Sequence, residues 1–174
     1  MRGYRKRPGT QGFSVPLVGA SLFFIISLFL FASYKNSAYQ QAKKEIYSLY
    51  TANRAFDLDE VYQDGLTAIY AKEYGKTATE TGCEALEQTG LPYVLLLSQF
   101  SAPVERVYVT NCQLSETGRE KKARTYDYTV SVRFCLEKGD EVLAPEKTMD
   151  FHGTVVMKKK GWFRWLLDGV TLGE

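Results

Sequence analysis

The residues best spaced for chemistry are Asp150 and His152, two apart in the run MDFHGTVVMKKK. In a strand such residues share a face, so a buried Asp–His pair could act as general base and orienter. Asp127 lies in the run YDYTVSVRF between Tyr126 and Tyr128, which alternate to the other face. Together with Tyr62 and Tyr70 from the preceding helical half, those two tyrosines are candidates to line a pocket, although Tyr on a core face more often packs with a satisfied hydroxyl.

Little else in the chain supports catalysis. There is no GxSxG, HExxH, P-loop or dinucleotide fingerprint. The single His also limits metal chemistry, because zinc sites generally need several His or Cys ligands. Cys83, Cys112 and Cys135 show no CxxC or Cys/His spacing. Three is odd, so at least one thiol stays free or pairs between chains, and at least one reads as a small buried hydrophobe. The residues therefore assign no catalytic group, no cofactor and no metal.

Position decides what Asp150 and His152 can do. Residues 126–136 alternate, with Tyr126, Tyr128, Val130, Val132, Phe134 and Leu136 apolar, and residues 149–159 place Met149, Phe151, Val155 and Met157 on odd positions. Pairing the two runs antiparallel, with Phe134 opposite Phe151 and Val130 opposite Val155, puts both apolar sets on one face. Asp150 and His152 then fall on the outward face near Arg133 and Cys135, as surface or interface residues, and Asp127 joins them. Lys160 and Gly161 form a turn into a last strand over 162–172. There Trp162, Phe163, Trp165, Leu166 and Leu167 occupy both parities, which fits either burial on both sides or an exposed aromatic patch for a partner. Arg133, Asp150, His152, Trp162, Arg164 and Trp165 make up the candidate interface. Lys158, Lys159 and Lys160 read first as a solvated hairpin tip and second as a dock for phospholipid headgroups or an acidic partner. An earlier strand covers 105–115, with Gly118 in its turn; its broken alternation points to a bulge.

The helical half comes first. Residues 34–56 contain good helix formers with Ile46, Leu49, Tyr50 and Phe56 at helical spacing, and are expected to continue the preceding apolar helix outward. Asp57 with Glu60 three residues on resembles a capping box and predicts a helix over 58–74, closed by Gly75. A further helix is expected over 79–88, bounded by Gly90 and Pro92. The apolar run 91–100 is too short to assign.

Ahead of these stands VPLVGASLFFIISLFLFAS, residues 15–33, with no charged residue between Arg7 and Lys35. A bilayer core asks for about 20 mostly apolar residues in a helix. Arg2, Arg5, Lys6 and Arg7 precede it without an acid, so the N-terminus is expected in the cytoplasm. The apolar run exceeds the ~7–15 residues of a signal peptide and lacks a good cleavage site, so an uncleaved single-pass anchor is expected. The expected organisation is a basic cytoplasmic tail over 1–14, a transmembrane helix over 15–34 and an extracytoplasmic domain over 35–174 in the cell membrane. That domain should be α+β, with helices over about 35–90 packed on a curved antiparallel sheet over about 104–172. Gly19, Ala20, Ser21 and Ser27 would permit close helix approach and self-association in the membrane. From Lys35 onward 18 basic residues face 20 acidic ones, which disfavours nucleic acid as a partner.

The order of elements resembles the nuclear-transport-factor-2-like (cystatin-like) superfamily. The residues that carry this are Tyr47, Tyr50, Tyr62 and Tyr70 in the helical lead, the strand YDYTVSVRF, and GTVVMKKKGWFRWLLDGVTL as a closing hairpin. With a cytoplasmic tail, one membrane helix and one such domain outside, the chain is similar to scaffold components of type IV secretion and conjugation machines; similarly anchored domains occur in sporulation and envelope assembly complexes. The resemblance implies a non-enzymatic docking part whose partners are the bilayer and other membrane or envelope proteins. Two alternatives are an anchored small-ligand-binding domain using the cone between helices and sheet, and, ranked last, an enzyme of the isomerase or hydrolase kind.

Overall fold

The computed structural model describes residues 15–51, 65–97, 104–136, 147–161 and 164–173. The chain divides into two units, Met1–Tyr34 and Lys35–Glu174.

The first unit contains helix α1, Val15–Lys35, in which large apolar side chains such as Phe23, Phe24, Leu30 and Phe31 stand exposed. Among the described residues no single helix is long and apolar enough to cross a membrane; Gly19–Lys35 and Ala38–Leu49, taken across the break between them, reach that length together. The continuous outward helix expected from the sequence is thus interrupted. The reason is Ser37, whose extended backbone stops one helix while its hydroxyl accepts the Gln40 N–H at 3.3 Å and starts the next.

In the second unit α2, Ala38–Leu49, turns Ala38, Ala42, Ile46 and Leu49 inward, followed by Tyr50. The helix expected over 58–74 is described only as α3, Leu66–Tyr74: Gly65, at φ 78°, is outside helical geometry. Asp57, Glu60 and Tyr62 lie outside the described residues. Helix α4, Glu80–Thr89, is capped by the Thr79 hydroxyl on Gly82 N at 3.1 Å and ends on Gly90 in the left-handed region. The unassigned apolar run contributes a 3-10 turn, Tyr93–Leu97.

Four antiparallel strands follow as a meander: β1 Val104–Arg119, β2 Ala123–Leu136, β3 Lys147–Lys160 and β4 Arg164–Leu172, in the order β1-β2-β3-β4. The second unit is therefore α+β. The anticipated bulge in β1 is three, with register shifts between Val104 and Arg106, Val109 and Asn111, and Glu116 and Gly118. Each shift flips the parity, which is why Val107 and Val109 but then Cys112 are buried. Gly118, expected in the turn, belongs to β1.

The register between β2 and β3 differs from the expected one by four residues. Val130 pairs with Phe151 and Tyr126 with Val155, while Phe134 faces Lys147. A shift by an even number keeps both apolar sets inward, so alternation alone could not distinguish the two pairings. Gly153 decides between them. It sits opposite Tyr128, where a Cβ would stand 2.6 Å from the tyrosine hydroxyl oxygen.

β4 carries its own bulge at Asp168, since Met157 pairs with Leu167 but Val156 with Gly169. Its free edge is closed by the segment before α4: Thr79 N donates to the Leu167 carbonyl at 2.8 Å and Leu167 N to Thr77 O at 2.9 Å. The core lies between α2 and the inward sheet face, where Ile46, Leu49, Tyr50, Val107, Tyr128, Phe134 and Met157 are buried. Each such side chain contributes about 1.5–3 kcal/mol relative to exposure.

Candidate functional site

The inward tyrosines meet in pairs. Tyr128 donates its hydroxyl to the Thr171 carbonyl at 2.9 Å. Its one hydrogen being used there, the Tyr50 hydroxyl, also 2.9 Å away, must donate to Tyr128. The relay Tyr50 to Tyr128 to Thr171 thus links α2, β2 and β4. Burial drives both phenol pKa values up, so neither supplies a phenolate at physiological pH. Tyr126 is also inward and buried, edge-on to Tyr39 with ring centroids 6.0 Å apart.

Tyr70 lies in a second cluster with Tyr74 and Tyr93, at ring separations of 6.0 and 5.8 Å. Its hydroxyl is buried without a hydrogen-bond partner among the described residues. Burial, reinforced by the negative charges of Glu87 and Glu73, pushes it up to about 12. Tyr93 donates to Glu73 at 2.5 Å. Of the four pocket candidates, then, Tyr126 and Tyr128 belong to the packed interior, Tyr70 to the helical cluster, and Tyr62 falls outside the described residues.

Asp150 and His152 are exposed on the outward sheet face. His152 sits opposite Thr129, with Nδ1 3.0 Å from the Thr129 hydroxyl, and Asp150 opposite Ser131. The four-residue shift takes His152 away from Arg133, which pairs with Thr148, while Asp150 stays on the same face as its diagonal neighbour. Arg133 itself stacks over the Tyr108 ring at 5.7 Å. Asp127 accepts from the Thr154 hydroxyl at 3.1 Å on this face. These groups make a polar hydrogen-bonded surface open to solvent.

Comparison with known proteins adds little. No family model and no curated protein matches the sequence. A solved structure described as "Ntf2 like protein involved in plasmid conjugation" is similar at a TM-score of 0.39 and 11% identity, over 79% of this chain and 50% of that one. The chain thus spans about half the length of that protein.

Arg164 and Trp165, the other described interface candidates, are elsewhere. They pair with Lys160 and Lys159, seven to twelve residues along β3 from His152 and Thr148, roughly 23–40 Å at the usual ~3.3 Å per residue. Arg164 donates to the Lys76 carbonyl, and Trp165 is half-buried beneath Arg124 at 5.5 Å and Lys159 at 5.9 Å. They brace β4, and the five described candidates do not form one surface. Leu166 and Leu167 are both buried, so this strand is covered on both sides. Trp162 and Phe163 lie outside the described residues.

Two inward groups were missed from sequence. Glu45 is buried on the apolar face of α2, where burial raises its pKa against the lowering influence of Lys44 and of a hydrogen bond with Thr77. Its position three after Ala42 and four before Leu49 put a charge on the apolar stripe and was visible in the sequence. Tyr50 was legible as an apolar-face residue, but its relay was not. Cys83 and Cys112 are buried and Cys135 half-buried, and no disulfide joins them. Among the described residues no group of three His, Cys, Asp or Glu is placed to hold a metal.

Proposed function

We propose that this chain is a membrane-anchored, non-enzymatic docking component of a cell-envelope assembly of the secretion, conjugation or sporulation kind. In this reading α1 is the anchor, the basic N-terminus is cytoplasmic and the α+β unit lies across the membrane. The observation that carries it is the occupied interior between α2 and the sheet. Tyr50, Tyr128, Phe134, Ile46, Leu49 and Met157 fill the place where a ligand or substrate would enter a cone, each at 1% exposure or less except Tyr128 at 2%. Asp127, Asp150 and His152 stand exposed on the outward sheet face, open to contact with another protein. The exposed apolar side chains of α1 support the anchor.

The experiment is site-specific photocrosslinking in cells at Asp150 and His152, with mass identification of the adduct. A discrete membrane or envelope protein, lost on charge reversal of Arg133, is the expected result. Absence of any adduct at both positions, despite normal expression, overturns the docking role. Labelling of Asp150→Cys by an impermeant thiol reagent in right-side-out vesicles tests the topology. The ligand-binding alternative is favoured by a single observation, the buried Tyr70 hydroxyl without a partner, which a polar ligand atom would satisfy.

A further inference from the structure

The two hairpin tips at one end of the sheet are bonded to each other. Lys159 N, near the end of β3, donates to the Lys122 carbonyl in the turn between β1 and β2 at 2.7 Å. Between them lies a concavity of about 320 Å³ lined by Lys121, Lys122, Lys159 and Gly161. A neighbouring one of about 430 Å³ shares Lys159 and adds Lys158, Lys160 and the Thr79 start of α4.

The nearby carboxylates are engaged elsewhere. Glu116 holds Arg119 at 2.6 Å and Arg124 at 3.7 Å, and Asp168 accepts from Thr79 at 2.7 Å and lies 3.4 Å from Lys158. Glu120, at the same turn, makes no ion pair with the three lysines among the described residues. Three lysines therefore line one concavity, with the Lys159 ammonium 5.9 Å from the Trp165 ring centre. A free hairpin tip would let them splay apart; the bond from Lys159 to Lys122 holds their backbones together. Gly161, at φ 75°, turns the chain at this tip.

The chemistry of the lining selects the ligand. Lysine is a compact point charge with three donors and suits phosphate oxygens, whereas the planar carboxylate favours the arginine fork. A phosphate monoester carries about −1.5 to −2 at neutral pH, which answers a lining of several lysines better than a single carboxylate does. The volume lies near the lower end of the ~300–1,000 Å³ usual for ligand sites, so a small phosphorylated group fits. We propose that Lys121, Lys122 and Lys159 form a binding site for a phosphate-bearing anion, either a free phosphate compound or a phospholipid headgroup. The site is independent of the docking role proposed above.

The test uses the full chain in a neutral detergent, titrated by calorimetry with pyrophosphate and, separately, with dihexanoyl phosphatidic acid below its micellar concentration. Lys121→Gln/Lys122→Gln/Lys159→Gln is compared with a control of equal charge change, Lys43→Gln/Lys44→Gln/Lys72→Gln. The three site lysines are exposed, so the fold should survive, which a thermal melt checks. Saturable binding of either probe, weakened roughly tenfold or more in the site variant, little changed in the control and reduced by added salt, is the expected result. Pyrophosphate binding would indicate a soluble ligand, and binding of phosphatidic acid alone a lipid headgroup. Failure of both probes to saturate, or equal weakening in the two variants, would overturn the site.

Discussion

The Tyr128 ring lies across Gly153, its directly paired neighbour on β3, and occupies the space that a side chain at 153 would take. A Cβ there would also meet the Thr171 carbonyl that accepts the Tyr128 hydrogen bond. Gly153→Ala should therefore destabilise the α+β unit by about 2–3 kcal/mol, the range for overpacking a filled core. Gly118→Ala, where only the Thr125 side chain stands at 3.1 Å, should cost less. Denaturant unfolding of both variants checks the difference, and equal costs would count against Gly153 as the register pin.

The hydroxyl relay makes its members unequal. Tyr50→Phe removes a donor and leaves Tyr128 bonded to Thr171, so it should cost about 1 kcal/mol. Tyr128→Phe strips the Tyr50 hydroxyl of its acceptor and the Thr171 carbonyl of its donor, and should cost about 2–3 kcal/mol. The double variant should resemble Tyr128→Phe alone, because the pair shares one network. Additive costs in a double-mutant cycle would show that the two hydroxyls act separately.

Glu45 predicts a pH dependence. Burial holds its folded pKa above the unfolded value, so the folded state binds its proton more tightly. Stability from this group is fully present below the unfolded pKa, near the ordinary carboxylate value of 4.5, and is lost as pH rises through the raised folded pKa. Glu45→Gln should accordingly stabilise the protein at pH 7 by an amount on the order of 1 kcal/mol, with the gain vanishing toward pH 4. Melting curves of both proteins across that interval would reveal a gain independent of pH if the reading is wrong.

Thr79 serves two groups at once, capping α4 through Gly82 N and donating to Asp168 in the β4 bulge at 2.7 Å. Thr79→Ala should cost about 1–2 kcal/mol, and Thr79→Ser should recover most of it. Hydrogen exchange at Leu167 N, bonded to the neighbouring Thr77 carbonyl, should quicken in the Ala variant alone.

Much of the architecture was legible in the residues because the signals were local. Complete alternation from Tyr126 to Phe134 marked β2, and Thr79 with Gly90 marked α4 at both ends. The outward placement of Asp150 and His152 also followed from parity, which a shift by four residues preserves. What escaped depended on single residues acting across the chain. Ser37 ended an apparently continuous helix, Gly65 took a non-helical conformation within the span 58–74 expected to be helix, and the extra residues at three points in β1 scrambled its pattern. The candidate interface dispersed because β3 is long: residues sharing a type and a half of the sequence stand at opposite ends of it.

By itself the sequence determined the class of most elements and the face that β2 and β3 turn inward, since apolar periodicity and capping residues act within one or two turns of the chain. Tertiary structure alone decided the β2–β3 register, the Tyr50–Tyr128–Thr171 relay and the joining of two lysine-bearing tips. Those depend on which residues from distant strands come to face one another, and there a missing side chain at Gly153 or one backbone bond from Lys159 to Lys122 outweighs any local preference.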